Sequence, residues 1–519
     1  RREDIDISEF SKDTIPYLTA IQVKKYIDKI KTNKATIPGD IPAKILKEFS
    51  SIFCIPLQNI INASFQTGIW ADRYKQELIT PAPKEFPVES MDQLRPISNL
   101  PICDKVQEAI VSDMVVNDMQ NNLEPSQYGN LKKTSVQHYL VRMMHRILTS
   151  LDNNAKGEVN AVLATFVDWK SAYMRQCHTL GIESFIRNGV RPSLIPLLIS
   201  YFQNRQMRVK FHGQTSNPRH QPGSGAQGAT LGNWEFISQT NNNADCVPQE
   251  DRFKYVDDLS ILEIINLLNI GLTSYNIKCH IPSDIPVHGQ YVAQENLLSQ
   301  QYLNKINEWT LKQKMLISEK KTKSMIINFT NNHQFMTRLI LNNTNIDVVD
   351  KVKILGTIIT DKLTWDENCN EIIKKVNKRM LLLKKILSFG ATKEEMVHIW
   401  IVYCRSLLEQ SAVVWSSSLT QENKDDLERT QKSFVKLILK NKFKTESEES
   451  YENALTKLNL QSLEQRRKEL CLNFAKNCIK YEKLIDLFPK NENLHDLRNP
   501  EKYNVLHANT ERLRESSII

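Results

Sequence analysis

The sequence predicts an α+β protein with several subdomains and a helical C-terminal region. Its 519 residues exceed the size at which a single hydrophobic core stops growing. Up to about residue 370, short apolar runs rich in strand-forming residues alternate with amphipathic helical patterns, and only helical patterns follow. The balance of 41% hydrophobic and 24% charged residues is that of an ordinary folded protein.

The first 160 residues are predicted to be mainly helical. A Lys-rich amphipathic pattern over 19–36 predicts a helix that the following Pro38-Gly39 stops. A second helical region is predicted over 42–68, where it ends at a glycine. Two more helices are predicted over 104–121 and 134–151.

The strands are predicted from short apolar or alternating runs. Residues 161–167 form an apolar run that predicts a buried strand. Residues 207–211 alternate as a half-buried strand does, and 253–262 have the pattern of a hairpin. Further elements are a helix over 302–316 and single strands over 322–329 and 352–359; 263–300 gives no clear pattern.

Composition also limits the class of protein. Nine scattered cysteines without a CxxC pair predict reduced thiols in an intracellular protein of the nucleus or cytoplasm. We expect no membrane partner, because no apolar stretch is long enough to span a bilayer and no signal-peptide pattern is present. The net charge of +9 is compatible with a polyanionic partner but is weak evidence alone.

Two adjacent carboxylates interrupt the apolar run at 253–262. On a flat strand, Asp257 and Asp258 would point to opposite faces, so we expect a tight hairpin with the pair at its turn. Like charges side by side destabilise a turn unless a cation neutralises them. A local feature that costs stability in this way indicates a functional site. The ordinary alternative is a solvated turn, which is what most Asp-Asp pairs form.

A third carboxylate, Asp168, follows the predicted strand 161–167. At the end of a strand its side chain can project into a cleft beside the other two. Three such carboxylates would supply hard oxygen ligands for two Mg²⁺ ions, for which Mn²⁺ could substitute. The alternative role for Asp168 is a helix N-cap, which is compatible with metal binding.

With these residues in place, the sequence resembles the reverse transcriptases of non-LTR (LINE-type) retrotransposons over roughly residues 15–440. Each block is weak alone, and the order of the blocks carries the resemblance. The blocks are 37–42 (Ile-Pro-Gly-Asp-Ile-Pro), 81–84, 94–98, Gln127-Tyr128-Gly129 with Thr134-Ser135, 166–173 (motif A), 225–228 (motif B), 255–258 (motif C), 320–323 (motif D) and 355–365 (primer grip).

The resemblance implies a right-hand polymerase fold with fingers, a palm built on an antiparallel sheet, and a helical thumb. The implied division is a helical extension over 1–75, fingers over 76–160, palm over 161–368, a thumb-like helical region over 369–445 and a helical tail over 446–519. The implied activity is RNA-directed DNA synthesis from dNTPs on an RNA template, starting from the 3′-hydroxyl of a DNA primer.

The resemblance also implies roles for single residues. Asp168, Asp257 and Asp258 would bind the metal ions, and Lys321 would be the general acid that protonates pyrophosphate. The residues assigned to the incoming nucleotide are Lys84, Arg95, Tyr173 (the steric gate that excludes a ribose 2′-hydroxyl), Gln227 and Gly228. Taken singly, each has an ordinary alternative: a solvated loop charge for Lys84 and Arg95, a core aromatic for Tyr173, and a flexible loop for Gln227-Gly228.

A basic helix is predicted where this family has its thumb. Within 371–387, an apolar face (Ile372, Val376, Met380, Leu383 and Leu387) accompanies a cluster of six cations (Lys374, Lys375, Lys378, Arg379, Lys384 and Lys385). An isolated helix of this kind is usually just solvated. At this place in the chain, its basic face is predicted to follow a nucleic-acid backbone.

Some positions depart from the family's pattern, and two other hypotheses stay open. Met174 stands where an Asp is frequent, Leu131 where an Arg is usual, and Ala226 where motif B has a Pro. One alternative is therefore a decayed or co-opted copy that only binds nucleic acid. The other is a group II intron or bacterial-type reverse transcriptase, which the helical C-terminal region suits less well.

Overall fold

The computed structural model describes most of the chain as a mixture of helices and small sheets, which confirms the α+β class. The described residues are 15–33, 36–84, 86–152, 159–221, 223, 225, 228–268, 290–291, 297–330, 335–439, 448–490, 503 and 507–514. No helix in these ranges is long and apolar enough to cross a membrane. All cysteines described are free thiols, as predicted.

The helices have the following bounds. They are α1 (Ala20–Asp28), α2 (Ala43–Glu48), α3 (Ser50–Thr67), α4 (Ile102–Met119), α5 (Val136–Asp152), α6 (His178–Arg187), α7 (Ile195–Phe202), α8 (Thr230–Gln239), α9 (Leu298–Lys312), α10 (Asp366–Ser388), α11 (Lys393–Ile399), α12 (Ser406–Leu408), α13 (Ala412–Trp415), α14 (Gln421–Ile438), α15 (Glu448–Lys457), α16 (Leu463–Lys480) and α17 (Glu511–Arg514).

The strands are shorter than the helices. They are β1 (Gln76–Pro83), β2 (Leu94–Asn99), β3 (Asn160–Val167), β4 (Gln206–Phe211), β5 (Gln214–Thr215), β6 (Arg219–His220), β7 (Arg252–Tyr255), β8 (Asp258–Asn266), β9 (Gln290–Tyr291), β10 (Lys323–Ile327), β11 (Phe335–Met336), β12 (Ile340–Leu341), β13 (Thr344–Asn345), β14 (Asp347–Val348), β15 (Lys351–Ile354) and β16 (Thr357–Thr360).

The chain divides into two units, each assembled from separate stretches. The first unit comprises 1–125, 169–246 and 305–318, and the second comprises 126–168, 247–304 and 319–519. The boundaries predicted at 75, 160, 368 and 445 follow the resemblance and stay a prediction.

The first unit contains a sheet in which β1 is central. It pairs antiparallel with β2 and parallel with β4, and β4 in turn pairs with β5 and β6. The strand predicted over 207–211 is confirmed as β4, but the half-buried pattern is wrong. All of its residues are exposed except Met207, which is partly buried, so neither face of the strand is covered.

A cluster of buried ionisable side chains lies beside this sheet in the first unit. Arg205 is 2% exposed and interacts electrostatically with the buried carboxylates of Glu77, Asp104 and Glu108. Burial raises the pKa of each carboxyl, and the Arg205 guanidinium opposes that rise. Neutral donors complete the cluster, since Trp70 Nε1 donates to Asp104 at 2.8 Å. Its stability therefore depends on one buried cation.

The second unit is built on a five-stranded sheet in the order β14-β10-β3-β8-β7. The four strands β10, β3, β8 and β7 pair antiparallel with their neighbours, and only the short edge strand β14 is parallel. The buried strand predicted over 161–167 is confirmed as β3, whose side chains are buried on both faces. The central strand β3 thus lies between β10 and β8, and the residue that follows its C-terminal end is Asp168.

Two sequence predictions of local structure are wrong in their extent. The predicted single strand over 352–359 is a hairpin of β15 and β16. Its turn is Leu355-Gly356, with φ of 47° and 90°, and the glycine supplies the left-handed conformation that a two-residue turn requires. The helix predicted over 19–36 ends at Asp28, well before Pro38-Gly39.

Among the residues described after 370, the second unit is helical, as predicted, apart from a bridge between Lys490 and Tyr503. The apolar face predicted for α10 is buried at Ile372, Val376, Met380 and Leu383, while Leu387 is only partly buried. This face packs into a core that also contains α5, β3 and the stacked pair Trp400–Phe434. Lys374, Lys378, Lys384 and Lys385 are exposed.

Candidate active site

The β7–β8 hairpin presents two adjacent carboxylates at one end of the sheet of the second unit. Tyr255 pairs with Asp258, so the two-residue loop of the hairpin is Val256-Asp257. The predicted hairpin is confirmed, but its turn lies one residue earlier than the Asp pair. Asp257 is in the loop, and Asp258 is the first residue of β8. The two side chains therefore leave the backbone from different local conformations, which a flat strand would not allow.

Val256 has an unusual backbone conformation, with φ of 59°. The left-handed region is disfavoured for a β-branched residue, because its side chain crowds the neighbouring backbone. Holding a residue there costs roughly 1–3 kcal/mol, so surrounding contacts must maintain it. This strain lies directly before Asp257.

Asp168 lies opposite Asp258 at the same end of the sheet. Val167 pairs with Leu259, so continuing the register by one residue brings the two aspartates face to face. Directly opposed residues of antiparallel strands have Cβ atoms about 4.5–5.5 Å apart. The Asp168 backbone N–H donates to Thr322 Oγ1 at 3.3 Å, which ties this strand end to the start of β10.

The N-cap role considered for Asp168 is wrong. The residues that follow form a bridge at Trp169 and then a short 3-10 helix (Ala172–Arg175) whose N-cap is Ser171. The side chain of Asp168 is therefore not required for helix capping.

Lys321 lies near the same end of the sheet. The first residue of β10, Lys323, pairs with Phe166, two residues before Asp168. Lys321 itself is exposed, in the turn before β10. The structure therefore brings together three of the predicted site residues, the aspartates.

The three carboxylates interact electrostatically. Loss of hydration around Asp258, together with the negative charges of Asp257 and Asp168, raises its pKa to about 7. The shift occurs although Asp258 is exposed to solvent. Like charges held this close favour either a proton or a bound cation at neutral pH.

The donor chemistry fits a divalent cation, but the side chains do not form a closed ligand set. Carboxylate oxygens are the preferred ligands of Mg²⁺, and a cation would offset the repulsion at Asp258. Within the ranges that the structure describes, no three Asp, Glu, His or Cys side chains are grouped closely enough to hold a metal ion. Metal binding would require the carboxylates to turn toward one another.

Aromatic side chains pack against the β7–β8 hairpin. The Tyr139 hydroxyl, fully buried on α5, is hydrogen-bonded to Ser260 Oγ at 2.5 Å, two residues beyond Asp258 on β8. The Tyr139 ring packs edge-on against Phe253 and Tyr255 of β7. Both strands of the hairpin are thus fixed to one helix.

The predicted nucleotide residues that are described lie in the first unit. Lys84 and Arg95 are exposed at the tip of the β1–β2 hairpin, where the Lys84 N–H donates to the Gln93 carbonyl oxygen at 2.8 Å. Ala82 pairs with Arg95, so strand alternation puts the side chains of Lys84 and Arg95 on the same face. Two cations on one face form a suitable contact for a polyphosphate.

Tyr173 and Gly228 also belong to the first unit. The Tyr173 ring is partly exposed and stacks on Phe236, with centroids 5.2 Å apart, so it is not a core residue. Its carbonyl oxygen accepts the Gly225 N–H at 2.8 Å. Gly228 has a φ of 118°, and a Cβ there would lie 3.1 Å from the Ser98 carbonyl oxygen. Gln227 lies outside the described residues.

Sequence comparison identifies one curated relative. No model of a known protein family matches the chain. A probable RNA-directed DNA polymerase from transposon X-element of Drosophila melanogaster is 22% identical over 393 residues, which is 75% of this chain. The predicted resemblance to transposon reverse transcriptases is confirmed. The chain spans only 38% of the length of that X-element polymerase.

A comparison with solved structures finds apo telomerase from Candida tropicalis, truncated from its C-terminal domain. It is 13% identical, and the match covers 64% of this chain and 62% of the telomerase chain. The TM-score is 0.35, at which the likeness decides nothing about the fold.

Proposed function

We propose that the chain is the RNA-directed DNA polymerase portion of a non-LTR retrotransposon. It would add dNTPs to the 3′-hydroxyl of a DNA primer on an RNA template. The observation that carries the proposal is the placement of Asp168, Asp257 and Asp258 at one end of an antiparallel sheet. The relationship to the X-element polymerase supports it.

The right-hand layout is part of the same proposal. The antiparallel sheet of β10, β3, β8 and β7 would be the palm, and the β1–β2 hairpin would belong to the fingers. The helices from α10 onward would form the thumb and tail. Cleavage of a target site is outside this proposal.

Asp168, Asp257 and Asp258 would hold two Mg²⁺ ions. Bound there, the ions would supply charge stabilisation for the attacking hydroxyl and the departing pyrophosphate. The carboxylates would fix the positions of these ions, and Lys321 would give its ammonium proton to the departing pyrophosphate. Lys84 and Arg95 would contact the triphosphate, Gln227 and Gly228 would lie near the base, and Tyr173 would meet the sugar.

The proposal is tested by primer extension with the purified chain. We expect Mg²⁺-dependent dNTP incorporation on an RNA template, and its loss when EDTA removes the metal. Binding of an RNA–DNA hybrid without incorporation would instead support a decayed copy that only binds nucleic acid. This alternative has to be distinguished because the residues Leu131, Met174 and Ala226 depart from the family's pattern.

Replacing Tyr173 with alanine is expected to relax discrimination between dNTPs and rNTPs. Removing the ring leaves space for a 2′-hydroxyl, and steric exclusion of one small group is worth roughly 10- to 100-fold. The measurement is the ratio of kcat/KM for dCTP and CTP on one template. Tyr173→Phe keeps the ring and serves as the control, so a variant Tyr173→Ala that discriminates like wild type contradicts the assignment.

Removing three exposed cations from α10 is expected to weaken binding to an RNA–DNA hybrid and to flatten its salt dependence. Lys374, Lys378 and Lys385 are exposed on this helix. For each phosphate that the protein no longer neutralises, the slope of log affinity against log salt falls by about 0.7–0.9. The triple Lys→Gln variant is compared with wild type by anisotropy titration at several salt concentrations.

A control variant makes the same change of net charge elsewhere. Lys25, Lys31 and Lys44 are exposed in the N-terminal helical part of the first unit. Their triple Lys→Gln variant is expected to keep most of the salt slope. Equal losses of affinity in both triple variants would indicate attraction by net charge and would contradict a binding face on α10.

A further inference from the structure

A short segment, 126–129, runs alongside β7 just before the strained turn. The Lys254 N–H donates to the Ser126 carbonyl oxygen at 2.9 Å, and the Tyr128 N–H donates to the Lys254 carbonyl oxygen at 2.8 Å. These two bonds form a parallel bridge between Gln127 and Lys254. The segment is therefore fixed in register against the last residues of the strand.

The side chain of Gln127 crosses from this segment to the turn. It is 3% exposed, and its Oε1 accepts the Val256 N–H at 2.9 Å and the Gly129 N–H at 2.8 Å. The same buried amide oxygen thus accepts from Val256, which has the positive φ, and from Gly129 of the neighbouring segment. A buried polar group with two such bonds is costly to remove.

Gly129 allows this close approach. A Cβ at position 129 would lie 2.5 Å from Val256 Cγ2 and 2.6 Å from the Val256 nitrogen. Any side chain there would push the turn away from the segment. Gln127 and Gly129 therefore act on the same residue from the same side.

We infer that Gln127 is a positioning residue whose amide oxygen holds Val256 in its left-handed conformation and so aims the Asp257 carboxylate. The inference rests on the proposed polymerase function, because the direction of the Asp257 carboxylate affects activity only if Asp257 takes part in catalysis. Gln127 touches neither a nucleotide nor a carboxylate in this role. It acts through the backbone of the turn.

The brace itself is tested by amide hydrogen exchange, without metal or substrate. Gln127→Met keeps the volume of the side chain and removes the acceptor. Exchange in a peptide covering 253–260 is expected to speed up about tenfold, as loss of one net hydrogen bond allows. Unchanged exchange in this peptide overturns the inference, whatever the activity of the chain.

The consequence for the site is tested by kinetics and by metal binding. In primer extension, Gln127→Met is expected to lower kcat about 100-fold, the scale of an ångström-sized misplacement, with little change in the KM for dNTP. Mn²⁺ binding, followed by electron paramagnetic resonance, is expected to weaken as well. A rise in KM with unchanged kcat would place Gln127 in nucleotide binding and overturn the inference.

A second substitution distinguishes positioning from general stability. Glycine adopts positive φ without steric strain, so Val256→Gly removes the need for the brace. The double variant Gln127→Met/Val256→Gly is expected to recover at least about tenfold in kcat over Gln127→Met alone. Failure to recover overturns the inference.

Asn160→Leu is the matched control for loss of a buried amide. Asn160 is 4% exposed, its Nδ2 donates to the Ser150 carbonyl oxygen at 3.1 Å, and it begins β3 at the end opposite Asp168. This variant is expected to lower thermal stability while keeping the Mn²⁺ affinity. A matching loss of Mn²⁺ affinity would show that Gln127 has only a structural role. If wild type extends no primer, the proposed function fails, and the exchange experiment still decides the brace.

Discussion

Replacing Asp257 with asparagine is expected to abolish primer extension while leaving the fold intact. Asparagine has nearly the same shape, but it removes one charged oxygen ligand from the loop of the β7–β8 hairpin. Losing one preorganised electrostatic interaction of this kind lowers kcat on the order of 1,000-fold. Single-turnover incorporation of dNTP on an RNA template measures the effect.

The stability of this variant is expected to stay the same or to rise. Asp257 contributes to the repulsion that raises the Asp258 pKa, and asparagine removes that repulsion. Urea unfolding measures this separately from activity. A variant that is both inactive and strongly destabilised would leave the loss of activity without a chemical cause, and Asp258→Asn then decides the assignment.

Asp350→Asn is the control for the change of charge. Asp350 is an exposed carboxylate of the same unit, in the turn before β15. Its replacement is expected to leave primer extension within about twofold of wild type, as for most surface changes. Wild-type activity in Asp257→Asn would contradict the assignment of the hairpin as the active site.

Replacing Arg205 with methionine is expected to destabilise the first unit by about 3–5 kcal/mol, as breaking a buried ion pair does. The substitution keeps most of the side-chain volume but leaves Glu77, Asp104 and Glu108 buried without their cation. The free energy of unfolding from urea denaturation measures the effect. Arg187→Met on α6 is the control, since Arg187 is exposed and its loss is worth less than about 0.5 kcal/mol.

The loss of stability in Arg205→Met is expected to grow with pH. Burial already raises the carboxyl pKa of Asp104 and Glu108, so the folded state keeps protons that the unfolded state releases. Stability then falls as pH rises above the ordinary carboxyl pKa, and removing Arg205 raises the folded-state pKa further. The deficit is therefore larger at pH 8 than at pH 5. A deficit independent of pH would contradict the role of charge.

Local pattern was sufficient to predict the elements that carry the candidate site. The apolar run of β3 and the apolar flanks of the Asp pair predicted the central strand and the hairpin. The register of the turn was not predictable, because a β-branched residue such as Val256 is disfavoured in the left-handed region. Its conformation depends on Gln127, which is far away in sequence.

Other features were missed for related reasons. Leu355-Gly356 was a recognisable turn signal inside the predicted strand over 352–359, and the apolar residues on both sides concealed it. The cluster around Arg205 brings together residues from distant parts of the chain, and no local spacing indicates such a cluster. The three aspartates could be named from the order of motifs, but the separation of their side chains could not.

The order of strands in the second unit has a consequence for biosynthesis. β3 is made first, yet its neighbours β8 and β10 come from much later parts of the chain. Ribosomes add about 5–20 residues per second, so this apolar strand waits on the order of ten seconds for its last partner. Until β8 and then β10 have been made, the uncovered edges of β3 can pair with another nascent chain. Production of the chain in a foreign host is therefore expected to benefit from chaperones that shield apolar strands.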